Sequence, residues 1–155
     1  MVFERATNQD IEQLVQLRIA YLTEDYGVLD EKELEIIKRD LPHYFMQKLN
    51  QNIFAYVARN GQEIVSCALL LVVEKPMSPA FINGKTGTVL NVYTKPESRK
   101  NGYARKCMDM LLAHASDMRL RVVELKATED GYSLYQSIGF KDVVSKYHQM
   151  EWRFE

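Results

Sequence analysis

Between Val89 and Ala104 the chain runs VLNVYTKPESRKNGYA: strand formers, a short turn bearing Pro96, then a helix start marked by Gly102 and Ala104. Residues of these types in this order can bind phosphate. The first turn of a helix leaves N–H groups without partners and concentrates positive partial charge, so an anion docks there when the backbone is uncrowded. Gly102 and Ala104 keep it uncrowded, and Arg99, Lys100 and Arg105 surround it with cations. The formal net charge of -1 makes that attraction local, so neither nucleic acid nor an anionic membrane is an implied partner. No Gly-x-x-x-x-Gly-Lys-Ser/Thr loop is present to suggest a nucleotide-phosphate site instead.

The elements that must position this turn follow from periodicity. Thr7-Asn8-Gln9-Asp10 has the form of a capping box, and Ile11, Leu14, Val15 and Leu22 then share one face of a first helix. Leu34, Ile37, Leu41, Phe45 and Leu49 mark a second helix, which Pro42 is expected to break or kink because it lacks a backbone donor. Ile53 to Arg59 and Glu63 to Val73 read as an antiparallel strand pair joined by a tight turn at Asn60-Gly61. Lys75 to Lys85, with Pro76, Pro79 and Gly84, is a loop whose Phe81 and Ile82 could cover a pocket, and Thr88 to Thr94 is the next strand.

After the turn, Ala104, Cys107, Met108, Leu111, Leu112 and Ala115 form an apolar stripe that packs a helix on a sheet, with His114 expected on its wet side. Arg121 to Ala127 reads as a strand and Tyr132 to Ser137 as a short helix stopped by Gly139. Phe140 to Val144 with Tyr147 to Phe154 reads as a closing strand pair. The order predicts one α/β (α+β) domain over residues 1–155, a mixed sheet with helices on both faces. Its strands Thr88–Thr94 and Arg121–Ala127 should be parallel neighbours through a right-handed crossover.

The pattern Arg99-x-x-Gly102-x-Ala104 between strand and helix resembles the acyl-CoA-binding motif of the GNAT N-acetyltransferase family. Downstream, Leu134-Tyr135-Gln136-Ser137-Ile138-Gly139-Phe140 is similar to the family's Leu-Tyr-x-x-x-Gly-Phe segment. The resemblance covers most of the chain and is specific from Val89 to Phe140. It implies a mostly antiparallel sheet with a central parallel pair that splays apart at one end, the gap taking the pantetheine arm of acetyl-CoA. It further implies that backbone N–H groups around Val92, Tyr93 and Thr94 polarise the thioester carbonyl. Those of Lys100, Asn101, Gly102, Tyr103, Ala104 and Arg105, beside Arg99, would hold the pyrophosphate. Tyr135 matches the tyrosine that protonates the leaving thiolate, and Thr128 and Gly131 stand where many members carry Asn and Ala.

Acyl transfer to an amine needs an uncharged nucleophile, a stabilised oxyanion and a proton for the thiolate. A phenol is protonated at neutral pH and has an acidity close to that of a thiol, so Tyr135 suits the last role; packing beside Phe140 is the plainer alternative. The base departs from the pattern. Asn91 occupies the position where histone-type members carry a glutamate, and an amide cannot accept the proton, although it can orient a water. Glu124, Glu129 or a chain of waters remain open for the task, with pairing to Lys126 or solvent as the bland reading of Glu124. Tyr21, Tyr26, Tyr44, Phe45, Phe81 and Tyr93 are candidates to line an acceptor pocket, and Glu24, Asp25 and Asp30 to attract a cationic amine.

Cys67 and Cys107 lie in apolar patterns without metal-ligand spacing, and His43, His114 and His148 are scattered, so no metal site is expected. No apolar leader or membrane-length run is present, which fits a cytoplasmic location. The expected activity is transfer of an acetyl group from acetyl-CoA to a primary amine of a small molecule. The alternative is a non-catalytic acyl-CoA-binding sensor that has lost its base. The terminal strand Tyr147 to Phe154 offers an edge for a homodimer.

Overall fold

The computed structural model describes residues 1–155 and contains strands β1 (Val2–Arg5), β2 (Ile53–Asn60), β3 (Glu63–Glu74), β4 (Lys85–Thr94) and β5 (Val122–Glu124). Its helices are α1 (Ile11–Tyr26), α2 (Glu31–Lys48), α3 (Tyr103–Asp117) and α4 (Tyr132–Ile138). The five strands form one sheet in the order β1-β2-β3-β4-β5, antiparallel except for the parallel pair β4–β5. The mixed α/β class and the splayed parallel pair are therefore as expected.

Strand alternation divides the core in two. Ile53, Ala55 and Val57 of β2 face a cluster with Leu14, Leu17 and Phe45 from α1 and α2. Phe54, Tyr56 and Ala58 face the opposite cluster with Cys107, Met108 and Leu111 of α3. This is the period-two signature of a strand covered on both sides. Both cysteines are buried free thiols, and burial pushes each up to about 12, so neither is a ready nucleophile.

One irregularity shapes the site. Along the β3–β4 ladder Cys67 pairs with Tyr93 and Leu69 with Leu90, so β4 spends one more residue than β3 over the same span. That is a β-bulge, and Asn91 sits in it at φ 49, a left-handed conformation that Asn tolerates better than most residues. The extra residue resets the alternation: Leu90 and Tyr93 both join the α1 side, while Val89 and Val92 join the α3 side.

Several expectations need correction. α2 continues through Pro42. Pro42 costs the helix only one donor, the carbonyl it leaves belongs to exposed Lys38, and the helix is pinned at both ends. Asp30 caps its start through Lys32 and Glu33, and Phe45 and Leu49 are buried beyond the proline. The hairpin loop is Gly61–Gln62, because Asn60 pairs with Glu63, and only Gly61 takes a positive φ, the pattern of a type II′ turn. β1 was not expected; four residues with charges at Glu4 and Arg5 carry too little pattern to announce a strand.

β5 is three residues long rather than seven, and the closing pair Phe140–Val144 and Tyr147–Phe154 is absent as strands. A strand exists only where a neighbour accepts its hydrogen bonds, and the last backbone bond of the chain runs from Phe140 N–H to Tyr135 C=O. The parallel pair consequently lies at an edge of the sheet rather than at its centre. His114 is not on a wet face: its ring packs edge-on to Phe54 at 4.9 Å between centroids, and its Nδ1 lies 2.7 Å from the Tyr56 hydroxyl.

Candidate active site

β5 pairs with β4 only from Thr86 to Thr88, so from Val89 onward β4 has no strand beside it on that edge. The gap opens into a cavity of about 630 Å³. Val92, Tyr93 and Thr94 line it from the end of β4, and Arg99, Lys100, Gly102, Tyr103, Ala104 and Arg105 from the turn and the start of α3. Thr128, Gly131 and Tyr135 line it from the α4 side, and Tyr21, Glu24 and Asp25 from α1.

At the start of α3, Gly102 is the N-cap at φ 75 with no side-chain cap, and Lys100 is also left-handed at φ 64. The first intrahelical bond of α3 runs from Lys106 N–H to Gly102 C=O at 3.1 Å, which leaves the N–H groups of Tyr103, Ala104 and Arg105 without helical partners. A Cβ built on Gly102 would meet nothing within 4 Å, so the approach to those donors is open. These features fit a pyrophosphate.

The cations around the turn have distinct duties. Arg99 donates from Nε to the Thr94 carbonyl at 2.8 Å and from Nη2 to Glu24 at 2.7 Å, with its guanidinium 5.5 Å from the Tyr93 ring centroid. It ties the end of β4 to α1. Arg105 donates to the Ser137 hydroxyl at 2.8 Å, fastening α3 to α4. Lys100 is left with no ion pair. Asn101 does not line the cavity; its amide donates to the carbonyls of Ser98 and Arg99 at 3.0 and 3.1 Å and braces the turn.

Tyr135 is half-buried, edge-on to Phe140 at 6.0 Å. Burial, with Tyr21 adding to it, pushes its phenol up to about 12, so it keeps its proton. A Cβ on Gly131 would come within 2.9 Å of Tyr135 Cε2 and 3.3 Å of Thr128 Oγ1, so the glycine makes room for the ring. Thr128 in turn accepts the Gly131 N–H at 3.2 Å.

Asn91 lies behind the cavity wall, 4 % exposed, its amide oxygen 3.4 Å from Arg18 Nη1. Glu124 is exposed and lines a second cavity of about 900 Å³, which shares Tyr135 with the first. Glu129 is exposed and lines neither. Of the candidate aromatics, Tyr21 and Tyr93 line the first cavity, Tyr44 lines a smaller one of about 360 Å³ with Arg18 and Asp40, and Tyr26 stands exposed, as does Ile82 of the loop expected to cover a pocket. Phe45 is core, and Phe81 lines none of these spaces, lying under Lys75 Nζ at 5.3 Å. Asp130 lines the first cavity and was not anticipated; it sits in a loop with no periodicity to single it out. No three His, Cys, Asp or Glu side chains converge as metal ligands, and no helix is long and apolar enough to cross a membrane.

The architecture is that of an acyltransferase, and comparison with known proteins agrees. The sequence model of the acetyltransferase (GNAT) family matches residues 11–140, and the chain belongs to that family. A predicted acetyltransferase from Clostridium acetobutylicum, solved with acetyl-CoA, is 28% identical, with a TM-score of 0.83 over 97% of this chain and 95% of that one. A GCN5-related N-acetyltransferase from Ralstonia eutropha JMP134 is 22% identical and shares the fold at TM-score 0.80, covering 96% of this chain and 97% of the other. A ribosomal-protein-alanine N-acetyltransferase from Brucella melitensis biovar Abortus 2308 shares it at 0.70 and 18% identity, covering 99% and 100%. No curated protein matches the sequence.

Proposed function

We propose that this acetyltransferase is an N-acetyltransferase that moves an acetyl group from acetyl-CoA to a primary amine of a small molecule, by direct attack within a ternary complex. The observation that carries the reading is that one cavity joins the uncapped start of α3 to the Tyr135 phenol. A donor with a pyrophosphate at one end and a thioester at the other suits such a space.

In this reading the free N–H groups of Tyr103, Ala104 and Arg105, with Lys100 nearby, bind the pyrophosphate. Backbone N–H groups around Val92 and Tyr93 polarise the thioester carbonyl. The neutral amine attacks the carbonyl carbon to form the C–N bond, the C–S bond breaks, and the Tyr135 proton passes to the thiolate. The amine's own proton leaves through water, which Asn91 does not replace because an amide is no base at neutral pH. Glu124 belongs to the neighbouring cavity, where it could receive that proton only through a relay.

A cationic amine is drawn by Asp25 and Asp130, both in the cavity and free of ion pairs, whereas Glu24 is neutralised by Arg99. Two buried free thiols and a metabolic acyl donor suit the cytoplasm.

The test is calorimetric titration with acetyl-CoA, then thiol release against polyamines, aminoglycosides, amino acids and peptides, repeated with Tyr135→Phe. Binding with release, slowed in the variant without loss of binding, supports the enzyme. Binding with no release on any acceptor identifies an acyl-CoA sensor instead, and absence of binding overturns both.

A further inference from the structure

We infer that the acceptor is an α-amino acid with an apolar side chain, its carboxylate held by Arg18 in the groove between α1 and α2 and its amine turned toward the thioester. The inference rests on the proposed acetyl transfer and names its substrate class. Arg18 is a half-buried cation that joins none of the chain's ion pairs. Of the five N–H donors of its guanidinium one is engaged, from Nη1 to the Asn91 amide oxygen at 3.4 Å, which is long for a bond from a cation. Withdrawing a charge from water without a counterion is costly, and an anion brought to the site recovers that cost. The planar fork of a guanidinium matches a carboxylate through two parallel bonds.

The rest of the groove is apolar, walled by Leu22 of α1 and by Ile36, Ile37, Leu41 and Tyr44 of α2. Its own carboxylate, Asp40, is already engaged by Arg39 at 2.9 and 3.1 Å and does not answer Arg18. The charge of Arg18 is felt on both helices: burial raises the Tyr21 and Tyr44 phenols, with Asp25 adding to it at Tyr21, and the guanidinium offsets part of each rise. Charge complementarity then makes one end of the occupant an anion, and the walls make the rest of it hydrocarbon.

The groove and the acetyl-CoA cavity meet at Tyr21. Arg18, Tyr21, Leu22 and Asp25 fall at i, i+3, i+4 and i+7 along one face of α1. The Arg18 guanidinium carbon lies 5.9 Å from the Tyr21 ring centroid, and that ring lines the cavity, as Asp25 does. On β4, Asn91, which Arg18 touches, immediately precedes Val92 and Tyr93, the residues proposed to polarise the thioester carbonyl. A carboxylate on Arg18 therefore sets an amine borne on the neighbouring carbon beside the thioester, and Asp25 attracts its ammonium form as it enters. An α-amino acid has that arrangement, whereas a polyamine or an aminoglycoside would bring a cation to Arg18. The carboxylate takes no part in the bond changes: the nitrogen gains the acetyl group and loses its proton as in the transfer above.

The experiment compares leucine, leucinamide and isoamylamine, which share a side chain and an amine and differ at the carboxylate. Each is titrated calorimetrically into protein saturated with coenzyme A, and each is assayed for thiol release from acetyl-CoA, with the wild type, Arg18→Met and Arg18→Lys. The wild type should favour leucine over the other two by on the order of 10- to 100-fold in affinity and in kcat/KM. That ratio should fall to about one in Arg18→Met and part of the way in Arg18→Lys, which keeps the charge without the fork. An arginine that only braced the β4 bulge would, on removal, weaken all three ligands and leave the ratio whole. A wild type without preference for leucine, or a ratio left whole in both variants, overturns the inference, and the wild-type comparison decides even where a variant fails to fold. Failure of the acetyl transfer itself reads differently, since no amine would then release thiol. Release to polyamines with no preference for leucine sinks the amino acid and spares the transfer.

Discussion

The guanidinium of Arg18 on α1 reaches the amide oxygen of Asn91 in the β4 bulge, Nη1 to Oδ1 at 3.4 Å, while the amide nitrogen of Asn91 faces the Cys67 sulfur at 3.6 Å. The cation sets which way the amide points, and the amide gives a half-buried cation somewhere to rest. A helix is thereby linked to the irregular residue of the strand that lines the cavity.

Asn91 should tolerate Gly better than Ala. At φ 49 a Cβ costs about 1–2 kcal/mol that glycine avoids, whereas both substitutions lose the same amide contacts. Asn91→Gly is expected to melt above Asn91→Ala; the reverse order in thermal denaturation would show that the bulge is unstrained.

For Tyr135, the buried phenol's rise to about 12 fixes a pH profile. A group that must be protonated to act fails only above its own pKa, so thiol release should show no alkaline loss from this residue below about pH 11. Tyr135→Phe should lower kcat by on the order of 100- to 10,000-fold across that range, the usual worth of a general acid. An alkaline limb near pH 10 that disappears in the Phe variant would contradict the burial argument.

Gly131 sits at φ −87, which alanine adopts freely, so Gly131→Ala isolates the steric effect on the ring 2.9 Å away. Displacing the ring should lower kcat by on the order of tenfold to a hundredfold, with little change in acetyl-CoA affinity by calorimetry. Equal losses in both would place the damage in the cofactor cavity rather than at the phenol.

His114 makes the fold acid-sensitive. Its imidazole is held below the ordinary value first by burial and then by Arg5, whose Nη1 faces Nε2 at 3.2 Å, with Asp117 opposing. The unfolded chain therefore takes up this proton at a higher pH than the folded one. The stability it represents is intact above about pH 6.5 and is lost as pH falls from there through the folded value. Melting temperatures between pH 7.5 and 5.5 should fall more steeply for the wild type than for His114→Gln, and parallel slopes would remove His114 from the account.

The turn from Arg99 to Ala104 and the segment Leu134 to Phe140 were legible because each is contiguous, so local chemistry carries the information. The stripe of Cys107, Met108, Leu111 and Ala115 was legible because helical period maps directly onto burial. The bulge at Asn91 was not, since it is a relation between two strands: only the register of β3 makes one residue of β4 supernumerary. His114 was misjudged as a polar residue at the edge of the stripe, because nothing in its neighbourhood along the chain announces that Tyr56 and Phe54 rise to meet it. The strand expected from Tyr147 to Phe154 was misread, because alternation along one segment does not say whether a neighbouring strand is there to accept its hydrogen bonds.

Between Thr86 and Thr88 β4 is clamped from both sides; from Val89 to Thr94 it is held by β3 alone. A ladder with one rail missing opens locally before the whole structure does, so the site end of β4 belongs to the least durable part of the sheet. On the proposed binding mode, a donor lodged in the gap takes the place of the absent rail, and binding then adds directly to the resistance of the fold. In a cell where clearance follows the open form, the lifetime of this protein would rise and fall with the supply of its own acyl donor.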